Sequence, residues 1–222
     1  MTQPLPAPYG NCQSQLAALG IQLDQLHDAL RAGEQARRLT TLNDPRNAPG
    51  TEDYYRRVRI LRERMIADVG WSRLDLNQLP LVVNPARTIA VGVLLGDHQT
   101  GWVGPYHPRS KRPVGEGKIK LVVQNEQLAL FARPVGPEEV DLAAEDLTKL
   151  ETWFLISHRR SRRNHVRISA ELSLPCETSE SNFVIKYRRR IPLPELRFEG
   201  VIPYIDGDDD GSDGYEVPVG EK

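Results

Sequence analysis

Val166-Arg167-Ile168-Ser169-Ala170-Glu171-Leu172-Ser173-Leu174 places an apolar residue at every second position. Successive side chains of a strand point to opposite faces, so a strict period of two marks a strand with one buried face. Phe183, Ile185 and Tyr187 repeat the pattern downstream, and Trp153 to Ile156, just upstream, is aromatic and β-branched. These segments predict an antiparallel meander in the last third of the chain.

Further upstream, Leu79 to Val83 and Thr88 to Leu95 are also β-rich. The second is apolar on both faces, as a central strand should be. Residues 96–117 read as a long Gly/Pro-rich loop carrying Trp102, Tyr106 and His107. Lys118 to Val123 puts Ile119, Leu121 and Val123 on one face of a strand. Leu128 to Phe131 follows closely, which predicts a hairpin around Asn125-Glu126. One short amphipathic helix is expected over Glu138 to Leu150, starting after Pro137.

Toward the N-terminus the period becomes helical. Leu16, Leu19, Leu23, Leu26 and Leu30 recur at steps of three and four, the spacing of one helical stripe. Thr40 to Thr51, with Asn43-Asp44-Pro45 and Pro49-Gly50, reads as a loop. A second stripe of Tyr54, Val58, Leu61 and Met65 is flanked by Arg56, Arg57, Arg59, Arg62 and Arg64. Two such helices form a hairpin, and packing within the chain is favoured over an oligomer seam, because the leucine stripe is short for a coiled coil. The expectation is an α+β protein: a flexible lead (1–10), a helical hairpin (11–74), a mainly antiparallel sheet-based domain with one short helix (75–203), and an acidic, disordered tail (204–222).

A net charge of −1 over 222 residues conceals strong segregation. Thr148 to Arg190 holds ten Lys/Arg against four Asp/Glu, whereas Glu195 to Lys222 holds nine acids against two bases. Charge separated in this way concerns partners rather than fold. Only Cys12 and Cys176 occur, so no disulfide framework is indicated. No apolar run approaches the roughly 20 residues of a membrane span. The N-terminus has neither the basic nor the apolar region of a secretory signal. The expectation is a cytoplasmic protein without a membrane or a cofactor.

The densest feature is His158-Arg159-Arg160-Ser161-Arg162-Arg163-Asn164-His165, at the turn between two of the expected strands. The guanidinium fork suits phosphate, so Arg159, Arg160, Arg162 and Arg163 are candidate contacts to nucleic-acid backbone. Lys186, Arg188, Arg189 and Arg190, on the next strand, are expected to extend that patch. An acidic protein partner, including the chain's own tail, would suit the same charge. Two other function classes remain open: a protein–protein adaptor, and a metal-dependent nuclease.

The nuclease reading rests on Asp97, Glu116 and Lys118. An aspartate followed by Glu-x-Lys resembles the metal-binding signature of the restriction-endonuclease-like nucleases. That resemblance implies two carboxylates on Mg²⁺ and a lysine orienting the attacking water. It covers three residues and leaves most of the chain unmatched, and Asp97 follows its strand where the family's aspartate begins one. In the tail, Asp206, Asp208, Asp210 and Gly211 match the first part of a calcium loop, but Val217 stands where a bidentate glutamate belongs. A phosphate loop fails as well, since Arg112 and Ile119 occupy its glycine and Ser/Thr places. No Cys/His pair has zinc-finger spacing.

Overall fold

Helices α1 (Cys12–Ala17) and α2 (Leu23–Arg38) divide the leucine stripe between them. The structure, a computed structural model, describes residues 11–76, 78–131, 149–162 and 165–200. Gly20 separates the two helices with φ 69°, a left-handed conformation open to glycine at little cost. Gln22 and Gln25 then form a capping box that starts α2. The single helix expected from the stripe is therefore two. Leu16, Leu19, Leu26 and Leu30 are buried, and Leu23 packs on the same core from its edge.

Helix α3 (Ala48–Val69) begins earlier than the sequence suggests, with Pro49 in its first turn. Proline fits there because those N–H groups have no intrahelical partner in any case. The expected loop thus loses Pro49-Gly50 to the helix.

Among the described residues six strands follow: β1 (Ser72–Leu76), β2 (Leu79–Val83), β3 (Ile89–Leu95), β4 (Glu151–Arg162), β5 (His165–Thr178) and β6 (Val184–Glu199). They form one sheet in chain order, antiparallel throughout except for the parallel β3–β4 pair. The fold is thus α+β with a mixed, mostly antiparallel sheet. Pro192 and Pro194 lie in β6, an edge strand, where a missing N–H is tolerated.

Between β3 and β4 the chain forms helix α4 (Glu116–Phe131), where a hairpin was expected. The apparent alternation of Ile119, Leu121 and Val123 is misleading. Leu121, Val122 and Asn125 are the buried positions, while Val123 is exposed, and that spacing belongs to a helix. Asn125, expected in a turn, instead donates from Nδ2 to Thr152 O (2.9 Å) and Pro175 O (3.0 Å) and accepts the Thr152 N–H (2.8 Å). The helix expected over Glu138 to Leu150 lies outside the described residues apart from Lys149 and Leu150.

Over much of its area the sheet is covered on both faces. Trp153 and Leu155 of β4 join Val91, Val93, Ile168 and Leu172 beneath α1–α3. Phe154 and Ile156 point the other way, into a second core with Leu94, Leu121 and Val122. Two-sided burial accounts for the unbroken apolar runs of β3 and β4. Among the described residues, no helix is long and apolar enough to cross a membrane.

Candidate nucleic-acid interface

The arginine cluster is split by the pleat of β4. Ser157 and Arg159 face the helical hairpin; His158, Arg160 and Arg162 face the opposite side. Arg159 donates from Nε to Oε2 of Glu34 at 2.8 Å, and Glu34 is wholly buried. Arg38 also reaches that carboxylate, donating from Nε to Oε1 at 2.8 Å. Beside it, buried Arg57 pairs with Asp53 and donates to the Ser157 hydroxyl. Burial pushes the Asp53 carboxyl above its ordinary range, against the opposing pull of Arg57 and Arg37. Arg159 therefore belongs to a charged seam between α2, α3 and the sheet. It is not available to phosphate.

On the other face, Arg160 lies opposite Arg167 and Arg162 opposite His165, while Arg167 lies opposite Arg197 of β6. Residues directly opposite share a face, so four arginines from three strands converge near the β4–β5 connection. Arg160, Arg162, His165 and Arg167 line a depression of about 130 Å³. The carboxylates on this part of β6 are Glu195 and Glu199. Glu195 reaches Arg197 at 3.1 Å and Arg167 at 3.8 Å. Arg160 and Arg162 have no ion-pair partner among the described residues. Asn125 anchors α4 at Thr152 and Pro175, toward the far end of both strands, so among the described residues α4 does not cover the arginine end. Arg163 lies outside the described residues.

The second basic run does not extend this patch. Register places Leu174 opposite Arg189 and Ser173 opposite Arg190, away from the Arg162–His165 end. Each of its side chains is also engaged. Lys186 pairs with Glu177 at 3.0 Å, Arg188 pairs with Glu151, and Arg189 lies over the Trp153 ring at 5.1 Å. Arg190 grips wholly buried Glu171 with two bonds, 3.0 Å from Nε and 2.7 Å from Nη2.

The Arg190–Glu171 pair fastens the loop that follows β3. Glu171 Oε2 accepts the Gly101 N–H at 2.8 Å, while Arg190 donates to Trp102 O (3.0 Å) and Tyr106 O (2.8 Å). His107 Nδ1 accepts the Tyr187 N–H at 3.0 Å. The loop is thereby laid against the open sheet face. Trp102 lines a cleft of about 660 Å³ together with Arg160 and Arg197. The sequence contains no local signal for this approach, because Trp102 and Arg160 are far apart in the chain. Arg167 and Arg197, isolated in sequence, escape sequence reasoning for the same reason.

The nuclease triad is placed differently from the arrangement its resemblance implies. Asp97 Oδ1 accepts the Gln99 N–H at 3.0 Å and so closes its own turn. Glu116 and Lys118 stand in the first turn of α4, where residues two apart diverge by roughly 200° around the axis. On a strand they would share one face. Among the described residues, no group of three or more His, Cys, Asp or Glu side chains is arranged to hold a metal. The calcium candidates Asp206, Asp208 and Asp210 lie outside the described residues. Cys12 is buried and its thiol pushed up by that burial, a setting that disfavours the thiolate.

The chain matches no known protein-family model, none of the curated proteins and none of the solved structures. The class is therefore defined by architecture alone: a helical hairpin packed on a six-stranded mixed sheet whose other face carries an open arginine cluster.

Proposed function

We propose that the protein is a non-catalytic binding subunit that contacts nucleic-acid phosphates through the open face of β4, β5 and β6. The observation carrying this reading is the convergence of Arg160, Arg162, Arg167 and Arg197, all exposed, on one sheet face. Like charges set directly across a sheet repel, so the cluster weakens the isolated chain unless an anion offsets it. Phosphate answers both the charge and the fork geometry of guanidinium.

Fluorescence anisotropy with DNA and RNA of unrelated sequence tests this reading. Binding is expected to be sequence-tolerant and to weaken steeply with salt as counterions are released. Absence of binding at low salt to every nucleic acid tried would overturn it.

A protein–protein adaptor remains the second reading, favoured by one observation. Leu39 and Leu42, between α2 and α3, are 80% and 79% exposed. The leucine stripe itself is spent on the core and offers no seam. If this reading holds, the chain binds no nucleic acid at low salt, and Leu39→Ser with Leu42→Ser abolishes a stoichiometric co-purifying partner.

A further inference from the structure

The geometry points to single-stranded nucleic acid as the ligand of this face, with Trp102 as its stacking platform; the inference rests on the phosphate-binding reading. Trp102 is 62% exposed, yet its backbone is fixed from several sides. Its N–H donates to Gln99 O at 3.1 Å, its carbonyl is held by Arg190, and the preceding Gly101 is held by buried Glu171. Thr100, two residues before it, is buried. An indole on a loop this firmly anchored presents a wide apolar face to solvent with little backbone entropy left to lose on binding.

Its neighbours supply the rest of the site. Trp102 shares one cleft with Arg160 and Arg197, so a ring and two phosphate-reading forks open onto the same space. Base stacking on an aromatic ring beside a basic groove is the general means of holding a single strand without reading its sequence. A duplex keeps its base faces inside its own stack and can offer this site only phosphates. Single-stranded chain offers both, whatever its sugar, and so gains the stacking interaction. Tyr106, 63% exposed and with its carbonyl on Arg190, stands on the same anchored loop.

The test uses the full chain with labelled oligo(dT), oligo(U) and a mixed-sequence duplex over a salt series. Single strands should bind at least about tenfold more tightly than the duplex. Unlabelled oligo(dT) should also quench tryptophan fluorescence, a signal that reports Trp102 because Trp71 and Trp153 are buried. Trp102→Ala should cost single-strand affinity about tenfold or more while leaving duplex affinity and melting temperature unchanged. Trp102→Phe should restore the affinity but not the quenching. If single strand and duplex bind alike and Trp102→Ala moves neither, this inference falls while phosphate binding stands. If nothing binds at low salt, both fall.

Discussion

Arg159 Nε and Glu34 Oε2 meet at 2.8 Å across the boundary between sheet and helical hairpin, the carboxylate wholly buried. This pair separates Arg159 from its neighbour Arg160, which faces the opposite side of the sheet. Removing one partner of a buried ion pair costs about 3–5 kcal/mol where the remaining charge is left alone. The cost here is less, about 1–3 kcal/mol, because Arg38 still pairs with Glu34. Arg159→Ala is thus expected to lower stability by that order in urea denaturation. Arg160→Ala should leave stability nearly unchanged and weaken nucleic-acid binding. Equal stabilities for the two variants would mean that the Glu34 pairing contributes little.

Gly33 of α2 lies close against Asp53 and Arg57 of α3. A Cβ there would lie 2.5 Å from Arg57 Cγ and nearer still to Asp53 Oδ1, inside the charged seam. Glycine→alanine in a helix normally stabilises, since alanine is the better helix former. Here steric overlap should reverse the sign. Gly33→Ala is expected to destabilise by about 1–3 kcal/mol in chemical denaturation, the usual cost of overpacking. A stabilised variant would show that the two helices can separate freely.

The contrast between β5 and α4 shows what was legible in the sequence and what was not. Val166 to Leu174 alternates without interruption, and those five apolar residues all reach one core. Lys118 to Val123 alternates over too short a span to distinguish strand from helix. The decisive residue is Asn125, whose buried amide reads as a turn residue until its partners at Thr152 and Pro175 are seen. The arginine cluster is visible as composition, but its division by the pleat depends on register. Arg167, Arg197 and Trp102 join the site only through strand pairing and loop anchoring, which no local pattern encodes.

His107 gives the loop a dependence on pH. Its Nδ1 accepts the Tyr187 N–H and must be unprotonated to do so. Burial first, and then Arg190, hold its pKa below the ordinary histidine value. When the folded value is depressed, the unfolded chain takes up the proton first as pH falls. The contribution is therefore complete above about pH 6.5 and is lost as pH falls through that value toward the folded pKa. His27 and His158 are lowered chiefly by burial and act in the same direction. Denaturation midpoints should be level above neutrality and decline below it. His107→Gln, whose side-chain oxygen accepts a hydrogen bond without titrating, should show a shallower decline. An unaltered profile for that variant would mean that His107 contributes nothing to the decline.

The two basic runs should behave differently in salt. Each phosphate of duplex DNA that a variant no longer neutralises flattens the log–log salt dependence by roughly 0.9. Arg160→Ala and Arg162→Ala are each expected to flatten the slope by up to that amount and to weaken binding equally across sequences. These positions are exposed at the sheet's open end, and Arg160 and Arg162 have no ion-pair partner among the described residues. Lys186 and Arg188, which pair with Glu177 and Glu151 away from that end, should leave the slope unchanged when replaced by Ala. Arg167→Ala and Arg197→Ala should fall between the two groups, since Glu195 already holds part of each charge, at 3.8 Å and 3.1 Å. A salt titration by anisotropy for all six variants makes the comparison. If the Lys186 and Arg188 variants flatten the slope as much as the Arg160 variant does, the nucleic acid runs along the whole of β6 rather than across its Arg197 end alone.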